Sequence, residues 1–169
     1  MKGIATSLAA IVLTISSLVA QNYMVVDSKA IFASVEEYTN AISTIDNLAK
    51  EYQAEVDKRF NSVESMYNTY MQRAASLNTI ERGVYEAKIA EAEEAATAYQ
   101  ESIFSNGGEL FKKRVEILKP IQERVFGVIE AYAKSNNFDL VLDEATNSTI
   151  LYKSSSVERT EEVIKELKK

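Results

Sequence analysis

The side chains most open to chemistry in this sequence are carboxylates. Glu91, Glu94 and Glu101 fall in one stretch of helical periodicity, where oxygen ligands a turn apart could hold a hard divalent cation. Helical carboxylate sites ordinarily add His or a second inward-facing Glu-bearing helix. Here the glutamates are interspersed with Ala and read as a solvated face. The 169 residues include no His, no Cys and no Trp. That removes the Ser-His-Asp triad, the Cys nucleophile, imidazole or thiolate zinc sites and the CxxC redox pair. No catalytic residue, cofactor or metal ligand is assigned, and the reading is not an enzyme. A formal net charge of −6, without a basic patch interleaved with aromatics, also gives no footprint for nucleic acid.

What remains is weak apolar contact. Met66, Tyr67, Tyr70 and Met71, followed by Leu77, Ile80 and Tyr85, crowd one region. Met is adaptable and Tyr presents area with a wet hydroxyl. Basic character gathers elsewhere, at Lys112-Lys113-Arg114 and Lys119.

The elements that must carry these residues follow from periodicity. Residues 1–20 have one Lys, an apolar run from Leu8 to Leu13 and small residues ending at Ala20. This is the pattern of a secretory leader cleaved after Ala20; a retained membrane anchor is the alternative, at the lower limit of a span. Tyr23 to Asp27 reads as a strand, with Asp27 and Ser28 as caps of a short helix through Phe32. Then Ile42, Ile45, Ala49, Tyr52, Val56, Phe60, Val63, Tyr67, Tyr70, Ala74 and Leu77 form a heptad seam, uninterrupted by Gly or Pro. The seam breaks near Asn78, expected in a left-handed C-terminal position, with Thr79 capping the next helix.

A second seam runs Tyr85, Ile89, Ala92, Ala96, Tyr99, Ile103. Two long helices joined by a short link must return antiparallel, so an arm is expected. Gly107-Gly108 interrupts the return as a hinge or as a fray between shorter helices. Phe111, Val115, Leu118, Ile121, Val125, Val128 and Tyr132 resume the stripe, with Pro120 kinking it or restarting it. Residues 138–143 and 149–152 read as a β-hairpin, and residues 160–167 as a last helix. The expected fold is α+β: a long antiparallel helical hairpin, residues 38–119, on a small β-strand body, residues 21–37 and 120–169. A body so small supports so long an arm only weakly, and oligomerisation is the physical remedy.

The order of Val25-Val26-Asp27, the hairpin, Lys119-Pro120-Ile121, Phe138 to Asp143 and Thr160 to Leu167 resembles the Skp/OmpH family of periplasmic chaperones. The resemblance implies a homotrimer whose arms surround a cavity for unfolded outer-membrane β-barrel proteins, working without ATP, with weak contact to the membrane surface. Family members are commonly basic and carry a Pro before Glu-Tyr; this chain is acidic and reads Val35-Glu36-Glu37-Tyr38. Client contact is therefore expected to be apolar, through Met66, Tyr70, Met71, Ile80 and Tyr85. Tyr67, Tyr70 and Leu77 also lie on the seam, where packing is the competing role. The other function class is a structural coiled-coil spacer or adaptor of the cell envelope.

Overall fold

The structure is a computed structural model that describes residues 22–146 and 149–169. The expected leader and its cleavage after Ala20 lie outside the described residues.

Two strands, β1 (Tyr23–Val26) and β2 (Leu140–Asp143), and five helices build an α+β chain: α1 (Ser28–Ala33), α2 (Glu36–Arg73), α3 (Thr79–Phe104), α4 (Glu109–Ser135) and α5 (Thr160–Leu167). The Asp27 side chain caps α1, accepting from Ala30 N at 2.9 Å. With no Gly or Pro inside it, α2 continues for 38 residues, roughly 57 Å at 1.5 Å per residue.

The connection to α3 is capped one residue earlier than expected. Asn78 is extended, with φ −78° and ψ 172°, so it is not the left-handed end of α2. Its Oδ1 accepts from Glu81 N at 3.0 Å, and the Glu81 carboxylate accepts from Asn78 N at 2.9 Å. This reciprocal pair satisfies two of the free donors at a helix start, and Thr79 becomes the first helical residue. Arg82 closes the link from the other side, donating to the carbonyls of Ala74 at 2.7 Å and Leu77 at 3.3 Å.

The two seams meet. Every residue of the return seam from Tyr85 to Ile103 is buried or half-buried. So is the outgoing seam, except Tyr67, which is 49% exposed. Midway, the Arg59 guanidinium lies 4.0 Å from the Tyr99 ring centroid. The return strand of the hairpin is two helices rather than one: α3 covers the outer part of α2, and α4 covers the part near the base. Pro120 neither ends nor restarts α4, which runs through it; its missing N–H leaves the Glu116 carbonyl without the usual helical donor.

At the base, α4 ends where Asn137 takes a left-handed φ of 57°, and β2 follows. β2 pairs with β1 in parallel, from Tyr23 opposite Leu140 to Val26 opposite Asp143. Parallel strands need a long crossover, and here the crossover is the whole arm. The opposite edge of β1 is taken by residues 157–159: Val25 N donates to Val157 O at 2.8 Å, and Arg159 N donates to Val25 O at 3.0 Å. The expected β-hairpin is therefore corrected. Ile150, Leu151 and Tyr152 form no strand against β2, and Leu151 and Tyr152 are 94% and 85% exposed. β2 pairs instead with β1, whose Met24 and Val26 lie in the buried core, a burial that the exposed Leu151 and Tyr152 do not supply.

The core joins both ends of the chain. Met24 and Val26 of β1, Ile31 of α1, Val125 and Ile129 of α4, and Val163 and Ile164 of α5 form one buried cluster. A second cluster of Ala41, Ile45 and Leu118 continues it into the arm. Glu37 and Arg124 lock the two helices across this junction with a two-point ion pair at 2.9 and 3.1 Å.

Candidate functional site

The residues expected to make contacts divide into two groups on the arm. Tyr70 and Tyr85 face each other across the hairpin, ring centroids 6.1 Å apart at 28°. The Tyr70 hydroxyl donates to Glu86 Oε1 at 2.6 Å, and Arg73 Nη1 donates to the Tyr85 hydroxyl at 3.0 Å. The Glu86 carboxylate beside it holds the Tyr70 phenol above its usual range. These two tyrosines serve both as cross-arm packing and as half-buried surface. Met66 is half-buried and lines a small groove with Tyr85 and Ile89.

Met71 and Ile80 are different. They are 54% and 81% exposed at the far end of the arm, so more than half of each apolar side chain is left to solvent. Val84, half exposed at 50%, stands one turn beyond Ile80 and belongs with it. It was not picked out in the sequence because it lies off the seam; its i,i+4 spacing from Ile80 was the available signal. Tyr67 also belongs here, i,i+4 from Met71, although its heptad position suggested packing.

The tip's cations are occupied. Arg82 donates to backbone carbonyls and Arg73 to a phenol. By contrast, Glu91, Glu93, Glu94 and Glu101 are exposed, and no ion pair holds them among the described residues. Among the described residues, no group of three or more His, Cys, Asp or Glu is placed to hold a metal ion.

Nearer the base, the chain turns from α3 into α4 over Ser105–Gly108. Gly108 N donates to Ser105 O at 2.9 Å, and Gly107 has φ +83°, the positive value a type II turn needs at its third position. Beside the turn is an apolar groove of about 450 Å³, lined by Ile45, Ala49, Ile103, Phe104, Leu110 and Phe111. Phe111 and Val115 were expected to begin the α4 stripe but are 50% and 42% exposed, because Leu110 and Ile117 take the inner face of this part of α4 and pack on the Ala41–Ile45–Leu118 cluster. The basic residues are close by. Lys112 and Arg114 are exposed, and Arg114 also borders the groove. Lys113 donates to Glu116 at 2.9 Å, which raises its ammonium pKa.

This arrangement offers apolar contact at the end of a stiff lever and along an interrupted return strand. A family model described as "Outer membrane protein (OmpH-like)" matches residues 22–167. No curated protein matches the chain significantly.

Proposed function

Because the chain belongs to the OmpH-like family, we propose that it is a periplasmic chaperone of the holdase kind, exported by a leader cleaved after Ala20. It acts as a homotrimer without ATP. Three arms enclose a cavity that keeps unfolded outer-membrane β-barrel proteins soluble before assembly. The observation that carries this reading is the outer arm: Met71 near the end of the 38-residue α2 and Ile80 at the start of α3 stand exposed, remote from the small core that anchors the arm.

Weak, adaptable apolar contacts suit a protein that must bind many sequences and release them. Trimerisation is supported by the body. Among the described residues the outer edge of β2 pairs with no strand, and Leu151 and Tyr152 sit nearby in sequence, 94% and 85% exposed. Exposed strand edges and apolar side chains are what a neighbouring copy can satisfy. The Gly107-Gly108 turn is the point at which each arm bends to fit clients of different size, and the basic residues Lys112, Lys113 and Arg114 flank it.

The test is direct. Light scattering of the mature protein should give three chains, and a stoichiometric excess should suppress aggregation of a porin diluted from urea. Porin aggregating at an unchanged rate, while the protein captures one defined envelope partner, overturns the chaperone reading in favour of a spacer.

A further inference from the structure

We propose that the outer arm selects unfolded segments that are apolar and cationic, a client chemistry that deepens the chaperone reading above and rests on it. The apolar half of the surface is two i,i+4 pairs near the tip, Tyr67 with Met71 on α2 and Ile80 with Val84 on α3, all between 49% and 81% exposed. The occupant is set by the charges around them.

The arginines nearest these pairs are exposed but each spends donors within the arm. Arg82 satisfies the carbonyls of Ala74 and Leu77, the orphan acceptors at the end of α2. Arg73 donates to the Tyr85 hydroxyl. The acceptors are neutral, so both guanidiniums keep their charge, and with Lys88 of α3 they are three cations near the tip. Against these stand the exposed carboxylates Glu91, Glu93, Glu94 and Glu101 on the same helix, with Glu64 on α2. Among the described residues, none of these five carboxylates has an ion-pair partner. A polypeptide laying apolar side chains on the tip pairs therefore runs alongside a negative helix face. Lys and Arg in that polypeptide are attracted, and Asp and Glu repelled, over a range set by the roughly 8–10 Å Debye length at physiological salt.

Between folded chaperone and extended client, such a field mainly raises encounter rate and selects by sign. An anionic lipid surface is disfavoured by the same field.

The experiment uses the full mature protein and two fluorescent, disordered peptides with identical alternating apolar positions, one with Lys and the other with Glu at the polar positions. Anisotropy titration at low salt should show the Lys peptide binding about tenfold tighter, a preference shrinking to under about twofold at roughly 0.5 M salt. Glu91→Lys with Glu94→Lys should reduce or reverse the preference while helicity by circular dichroism is retained; the salt titration of the unaltered protein needs no variant. Equal binding of the two peptides with porin still protected overturns charge selection alone. Preferential binding to the Glu peptide, or to phosphatidylglycerol vesicles over the Lys peptide, also overturns it. If neither peptide binds and porin is unprotected, the chaperone reading itself fails.

Discussion

The Cβ that Gly108 lacks would stand 2.6 Å from the carbonyl oxygen of Ile103. That approach is closer than carbon and oxygen tolerate, and the blocking atom is backbone, so the α3–α4 turn can keep its shape only with glycine there. Gly107 is constrained differently, by φ +83° with open space around it.

Gly108→Ala should accordingly destabilise the chain by about 2 kcal/mol, and Gly107→Ala by about 1 kcal/mol. Gly83 and Gly127 lie inside helices with nothing within 4 Å of a Cβ. Gly83→Ala and Gly127→Ala should each stabilise by about 0.5–1 kcal/mol. Four thermal melts decide it, and a stabilised G108A would show that the turn is not fixed as described. Spin-label distances between arm tips should also change in the G107A/G108A double variant; an unaltered distribution counts against bending at this point.

Asp143 ties the two halves of the body. Its carboxylate accepts from Ser28 N at 3.0 Å and Ser28 Oγ at 2.7 Å, and from Thr146 and Ala145 on its own side. Burial alone would push this carboxyl up, but the hydrogen bonds from Ser28 and the turn outweigh it, and its pKa lies below the usual value. A carboxyl depressed in the folded state stabilises above the unfolded pKa, near 4, and loses that contribution as pH falls through the lower folded value. Asp143→Ala should therefore cost about 2 kcal/mol at neutral pH, with the difference from the parent shrinking below about pH 4. Denaturant melts at a series of pH values measure it; a pH-independent gap rejects the linkage.

The helical part of this architecture was legible because periodicity is local. Positions from Ile42 to Leu77 and from Tyr85 to Ile103 could be placed on facing seams by spacing alone, and they pack there. The cap at Asn78 was displaced by one residue because Asn and Thr both start helices. The choice depended on Glu81, three residues after Asn78, closing the reciprocal pair. Both strands were legible, β1 at Tyr23–Val26 and β2 within residues 138–143, but their pairing was not. Residues 149–152 have strand composition, yet β2 pairs with β1, more than a hundred residues away. Pairing depends on which edge a distant segment reaches, and composition carries no record of that. Exposure at the tip had the same difficulty: a heptad position marks Tyr67 as packed, yet it is 49% exposed although Tyr70, the next seam residue, stacks on Tyr85.

The tyrosine pair at the tip should separate packing from polar bonding. Tyr85→Phe keeps the ring against Tyr70 and loses the bond from Arg73, an exposed interaction expected to change stability by less than about 1 kcal/mol. Tyr85→Ala removes the ring and should fray the start of α3, a loss of about 1–2 kcal/mol. Amide exchange of residues 79–86 reports this locally. Equal protection in both variants would show that the rings contribute nothing to holding the tip closed.

Leu151 and Tyr152 give the sharpest division between fold and assembly. They are 94% and 85% exposed and belong to no core cluster of the single chain. Leu151→Ser with Tyr152→Ser should therefore leave the folded chain intact, because a side chain already in water loses no burial. If a second copy covers them, burying a Leu and a Tyr contributes roughly 1.5–3 kcal/mol each to every interface. The double variant should then dissociate at protein concentrations where the parent stays associated, with unchanged helicity. Sedimentation equilibrium alongside circular dichroism separates the outcomes. A variant that stays trimeric with parental affinity shows that this segment lies outside the interface, whereas lost helicity in dilute solution shows that the arm depends on assembly for its fold.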